Sequence, residues 1–219
     1  MKLNIISFLR SLKDLYLRKR AYHQVQCNST LIGDVHDFAT TGNVVLCWGS
    51  TKNDVFIDEH ADIYGQIISY NHGTVKIGKW VNIGFRTKID CVNRIEIGDN
   101  TTISYDVTII DNNSHPINPA DREFMSYTKH GSLERQPMFS ISSPIIIGNN
   151  CWIGTQVRIQ KGVTIGDNSI IAANSVVTKS IPHNCIAAGI PAKIVKTNID
   201  KTTLRVFPLK NEDKEKYTR

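Results

Sequence analysis

From residue 147 the chain reads IGNNCW, IGTQVR, IQKGVT, IGDNSI, IAANSV, VTKSIP, six blocks of six residues in unbroken succession. Each block opens on an aliphatic residue: Ile147, Ile153, Ile159, Ile165, Ile171 and Val177. The fifth place holds Cys151, Val157, Val163, Ser169, Ser175 or Ile181, and Gly, Asn and Asp gather in between. The same grammar runs through Ile77, Ile83 and Ile89, slips by two residues, and resumes at Ile97, Ile103 and Ile109, with weaker traces at Ile57 and Ile63. A period of six suits neither an amphipathic helix nor an array of hairpins. It suits short flat strands joined by tight corners, three to a triangular coil, with the aliphatic residue pointing into the prism at each step. Gly, Asn and Asp tolerate the positive φ that such corners require. IGNN at 147 and IGDN at 165 stand one three-block coil apart, which supports the count. A fully buried isoleucine contributes roughly 1.5–3 kcal/mol, so stacked columns of them can hold a domain with few aromatics.

A solenoid of this kind needs capped ends. Residues 1–26 predict a helix, because Ile5, Phe8, Leu9, Leu12, Leu15 and Tyr16 recur at three-to-four spacing while Arg10, Lys13, Lys19 and Arg20 take other faces. Such a stripe ordinarily packs on the protein body or on a partner subunit; a peripheral contact with an anionic membrane is the other reading. The expected organisation is this helix at 1–26, a β-solenoid over 27–197, and a charged tail at 198–219. Between Ile110 and Pro144 the repeat vanishes. Both ends return to hexads, so 111–144 is a loop excursion from one solenoid, of a length that is usually either functional or disordered.

Bulk properties narrow the class further. The 219 residues, 41% hydrophobic, suffice for one ordinary domain with a core. A net charge of +6 is compatible with anionic partners, but no aromatic-and-basic recognition motif points to nucleic acid. Five widely spaced cysteines without a C-x-x-C pair predict reduced thiols in a cytoplasmic protein. The first ten residues lack a leader's cleavage site, and no apolar run could span a bilayer.

The hexads, the excursion carrying Ser114-His115-Pro116, and the ending Ala188-Gly-Ile-Pro-Ala-Lys-Ile-Val-Lys196 together resemble the left-handed β-helix acyltransferases. Within them the match is to galactoside, maltose and polysaccharide O-acetyltransferases. It covers about residues 75–197 and is strongest over 145–196. The resemblance implies an all-β, left-handed parallel β-helix that assembles as a homotrimer, with active sites in the clefts between subunits. It implies acetyl transfer from acetyl-CoA to a sugar or polysaccharide hydroxyl in a ternary complex, with no metal. His115 falls where the family carries its catalytic base. Trp152 and Thr155 correspond to the acetyl and pantetheine end of the cofactor site, and Ala173 to a small residue beside the pantetheine arm. Thr178, Lys179, Lys193 and Lys196 correspond to positions near its phosphates, where ammonium groups are suited to bind.

The chemistry asks for such a set. A sugar hydroxyl is too weak an acid to attack a thioester unaided, and an imidazole with an ordinary pKa near 6.5 can take its proton and return it to the leaving thiolate. The oxyanion formed between these steps needs a fixed donor, for which a backbone N–H of the solenoid is the expectation. Acceptor-side candidates are Asn82, Asp111 and Asn112, the last two equally suited to forming a turn, with Glu134 a further candidate to steady the loop. The match departs here: Ile83-Gly84-Phe85 stands where relatives carry an Asn, and Cys91-Val92 where they carry paired acids. An amino-sugar N-acetyltransferase would use the same cofactor and base and is the competing reading. The histidine spacing argues against a zinc-dependent carbonic anhydrase on the same fold, since Ala120 stands five residues after His115 and the other histidines show no metal-ligand spacing.

Overall fold

The computed structural model describes residues 2–33 and 37–202, with side chains from residue 7 onward. Three parallel sheets form the sides of a prism. Face one stacks strands Thr30–Leu31, Val55–Ile57, Thr74–Ile77, Arg94–Ile97, Ile145–Ile147 and Thr164–Ile165. Face two stacks Asp62–Ile63, Asn82–Ile83, Thr102–Ile103, Trp152–Ile153, Ile170–Ile171 and Ile186–Gly189, and is closed by the antiparallel strand Ala192–Lys196. Face three stacks Asn43–Cys47, Gln66–Tyr70, Lys88–Cys91, Thr108–Ile110, Arg158–Gln160 and Val176–Val177.

The hexad isoleucines become three columns. Ile57, Ile77, Ile97, Ile147 and Ile165 are in register on face one. Ile63, Ile83, Ile103, Ile153, Ile171 and Ala187 are in register on face two. Val44, Ile67, Ile89, Ile109, Ile159 and Val177 complete face three. All but a few of these are entirely buried, and together they form one continuous core. The corner between faces one and two shows why Asn is common in the repeat. Asn100, Asn150, Asn168 and Asn184 all have φ between 53° and 59°, and amide side chains link Asn150 to Asn168 and Asn168 to Asn184 at 2.9 Å.

Insertions accumulate at one corner. From face three to face one the step is six residues at Ile159–Ile165 but eight at Ile89–Ile97, which is the slip seen in the sequence. One coil above that slip, between Ile110 and Ile145, the same corner opens into the whole excursion. The excursion is not a bare loop. It contains a helix, α2 (Pro119–Tyr127), capped by Asn118, whose side chain accepts the Ala120 N–H, with Pro119 in the first turn, and two short 3-10 turns.

The N-terminal helix, α1, spans Lys2–Asn28, slightly longer than the sequence predicts. Its C-terminal part covers the first coil. Ala21 and Val25 are buried, and Gln24 and Asn28 hydrogen-bond the backbone of Val44, whose strand is the edge of its sheet among the described residues. The apolar stripe is not the packing face. Phe8, Leu9, Leu12, Leu15 and Tyr16 are exposed. The tail beyond residue 202 lies outside the described residues.

Candidate active site

The excursion leaves the prism through a polar knot. Asp111 is fully buried. Its carboxylate accepts the N–H groups of Val92 at 2.9 Å, Asn93 at 2.8 Å and Arg94 at 3.0 Å, on the coil below. These donors belong to the corner that carries the two extra residues, so Asp111 closes a turn that lacks backbone acceptors of its own. The Cys91 thiol also points at Asp111, at 3.3 Å; burial and that carboxylate push its ionisation far above the usual range. Asn112, nearly buried, donates to Asp111 and accepts the Ser114 N–H at 2.8 Å. Ser114 has a positive φ of 62°, and His115 follows it, exposed. Beyond the histidine, Arg122 of α2 donates to the carbonyls of Pro116 and Ile117. The imidazole's backbone is thus held from both sides, while the ring itself makes no hydrogen bond or ion pair within the described chain.

The structure thus places Asp111, expected on the acceptor side, in the corner itself, fully buried with its carboxylate accepting three backbone N–H groups. Asn112 is committed to the same turn, although it lines a polar recess of about 200 Å3 with Asn113, Ser114, Arg158, Gln160 and Lys161. Arg122, Arg158 and Lys161 were not singled out from sequence; Arg122 had a signal, since the Asn118-Pro119 cap announces the helix that carries it. Glu134 lies in a separate recess beside Pro116, with Phe124, Met125 and Phe139.

The other candidates lie elsewhere on the prism. Asn82 and Trp152 are on the outer side of face two, two rungs apart in one column through Thr102. Trp152 exposes 54% of its surface. Thr155 and Ala173 sit on adjacent coils at the corner between faces two and three, linked by the bond from the Asn174 N–H to the Thr155 carbonyl. Lower coils fill this corner with aromatic rings, Tyr64 on Phe85 at 5.0 Å and Phe85 against Tyr105 at 6.0 Å. At Thr155 and Ala173 the column turns small, and backbone is packed tightly beneath: a Cβ at Gly154 would come within 2.6 Å of the Ala173 nitrogen. A thin linear chain fits over such a strip, with Tyr105 and Trp152 as apolar flanks. Lys193 and Lys196 belong to the last strand of face two, paired with Ala188 and Ile186. Thr178 and Lys179 instead follow the last strand of face three, at the corner from which the excursion departs two coils earlier. All four are exposed. Within one chain, therefore, His115 and the Trp152–Ala173 strip belong to different corners. Among the described residues no group of three or more His, Cys, Asp or Glu could hold a metal ion.

Three stacked parallel sheets with isoleucine columns define a hexapeptide-repeat solenoid, and comparison with known proteins agrees. Residues 144–179 match the bacterial transferase hexapeptide (six repeats) family. The chain is 38% identical to galactoside O-acetyltransferase of Escherichia coli (strain K12) over 135 residues, 61% of this chain and 60% of that protein. It is 32% identical over 151 residues to WbbJ of the same organism, provisionally named a lipopolysaccharide biosynthesis O-acetyl transferase, spanning 61% of this chain and 77% of WbbJ. Among solved structures, the polySia specific acetyltransferase NeuO superposes with a TM-score of 0.58 at 26% identity, over 78% of this chain and 83% of that one. AntD, an N-acyltransferase from Bacillus cereus, superposes with a TM-score of 0.60 over 78% of this chain and 86% of AntD; at 16% identity it speaks for the fold alone. The chain belongs to the hexapeptide-repeat acyltransferases, and its fold is their left-handed parallel β-helix.

Proposed function

We propose that this chain transfers an acetyl group from acetyl-CoA to a saccharide hydroxyl, with His115 as general base, in a homotrimer whose subunits complete one another's sites. The observation that carries this reading is the separation of His115 from the small-residue strip. An exposed imidazole with no partner of its own stands at one corner, and the groove suited to a pantetheine arm runs along another. A neighbouring prism docked between these corners brings the two halves together. In that cleft Thr155 and Ala173 let the arm pass, Trp152 covers the thioester end, and Lys193 and Lys196 meet phosphates from face two. Thr178 and Lys179 approach from the corner that carries the excursion.

His115 takes the hydroxyl proton as the oxygen attacks the thioester carbonyl, then delivers it to the departing thiolate. A corner backbone N–H holds the oxyanion between these steps. The Asp111–Asn112–Ser114 chain and Arg122 fix where the imidazole stands. Asn82, in the same outer column as Trp152, is the remaining acceptor-side residue. Hydroxyl acceptors are preferred over amines because galactoside O-acetyltransferase and WbbJ are both named for O-acetyl transfer.

The test is thiol release from acetyl-CoA with matched hydroxyl-only and amino sugars or glycans. The parent should turn over hydroxyl-only acceptors, and His115→Ala should lose about 100-fold or more in kcat while still binding coenzyme A. Full turnover by His115→Ala, or turnover with amines alone, would overturn the assignment.

A further inference from the structure

The apolar stripe of α1 is left exposed by the described residues. At 3.6 residues per turn, Phe8, Leu12, Leu15 and Tyr16 emerge from the side of the helix roughly opposite to Ala21 and Val25, which pack on the first coil. The burial agrees. Phe8, Leu9, Leu12, Leu15 and Tyr16 expose between 46% and 65% of their surface, whereas Ala21 exposes 7% and Val25 none. The solenoid thus holds the helix by one face and presents the other outward.

The charge on this helix selects what covers that face. Across Lys2–Asn28 the only acid is Asp14, against Lys2, Arg10, Lys13, Arg18, Lys19 and Arg20. Arg18 is taken up by Asp37 at 2.8 Å. Arg10, Lys13, Lys19 and Arg20 are exposed and form no ion pair among the described residues. Lys19 continues the line of Leu12 and Leu15 one turn on, where a long stem can lie along an apolar layer with its ammonium at the polar boundary. A second copy of the same helix would bring two strongly cationic faces together with one acid apiece, which like-charge repulsion opposes. An anionic surface with an apolar interior satisfies both features at once. No helix among the described residues is long and apolar enough to cross a membrane, so the contact would be in the plane of the surface.

We infer that α1 is a peripheral membrane anchor, its Phe8–Leu12–Leu15–Tyr16 face inserted at the headgroup boundary of an anionic lipid bilayer. Lys19, in line with the stripe, and Lys13 and Arg20, on its flank, then engage lipid phosphates. The anchor stands apart from the acetyl-transfer chemistry and does not depend on it.

The experiment is flotation of the full-length protein with vesicles of phosphatidylcholine alone, or of phosphatidylcholine and phosphatidylglycerol in equal amounts. The expected result is binding to the anionic vesicles only, weakened by added salt. Phe8→Ser/Leu12→Ser/Leu15→Ser and Lys13→Glu/Lys19→Glu/Arg20→Glu should each reduce that binding by about tenfold or more. These exposed positions leave the core alone, so circular dichroism and coenzyme A binding should match the parent. Equal flotation of parent and variants would overturn the anchor. So would absence of parent binding with a change of oligomeric state in the stripe variant, which would make the face a subunit contact instead.

Discussion

Replacing Asp111 probes the link between the solenoid and the excursion that carries His115. Asp111→Ala removes the acceptor for three backbone N–H groups, from Val92, Asn93 and Arg94, at 2.8–3.0 Å. Leaving a buried donor unsatisfied costs about 1–3 kcal/mol, and hydrogen bonds to a charged acceptor lie toward the upper end. Asn93 and Arg94 are exposed residues, so water can reach part of the vacated corner. Those two facts place the loss near 3 kcal/mol, out of a total stability of about 5–15 kcal/mol. Asp111→Asn keeps one oxygen but turns an NH2 toward a donor, and should fall between parent and alanine. Urea denaturation at one fixed protein concentration measures this, since an oligomer's midpoint moves with concentration. The kinetic signature is separate. Because Asp111 holds Asn112, and Asn112 holds Ser114, displacement of His115 should lower kcat about 10–100-fold while the KM for acetyl-CoA stays near the parent value. An alanine variant within about 0.5 kcal/mol of the parent, or one whose KM for acetyl-CoA rises in step with the fall in kcat, would refute this role.

Other consequences follow from the core. Ile103 and Ile153 are wholly buried in one column, and either one changed to Ala should cost about 2–5 kcal/mol in urea denaturation. The Cys91 thiol keeps its proton well above its ordinary 9.0 because of burial and Asp111. Its stabilising contribution is therefore complete below about pH 9 and declines as pH rises beyond it, where only the unfolded chain ionises. Cys91→Ala should flatten that alkaline decline in stability measured against pH. In thiol titration of the native protein, exposed Cys27 should react first and buried Cys91 only on unfolding.

How much the sequence discloses depends on whether the determining contacts are local. The hexads place Ile77, Ile83 and Ile89 three to a coil, because a tight corner leaves no slack, and the structure stacks them as read. The α1 stripe is legible as a stripe, but which side of the helix meets the body is decided by Val44, sixteen to twenty residues away. Helix α2 is announced by Asn118-Pro119, a capping signal easily passed over inside a polar stretch. Asp111 is the hardest to read. Adjacent to Asn112 it looks like half of an ordinary turn, and its real partners lie one coil away at 92–94, where two extra residues need an acceptor. The separation of His115 from Trp152 and Ala173 is likewise set by which face each strand joins.

In the proposed mechanism a base at one corner of the prism serves a cofactor groove at another corner, across a boundary between copies. Subunit mixing tests it directly. Differently tagged His115→Ala and Ala173→Trp chains are co-expressed, and assemblies carrying both tags are isolated and assayed for acetyl transfer. Each variant alone should be inactive, the first for want of a base and the second for a blocked groove, while mixed assemblies should regain activity because some clefts pair an intact His115 with an intact Ala173. Mixed assemblies as inactive as either parent variant would contradict the account.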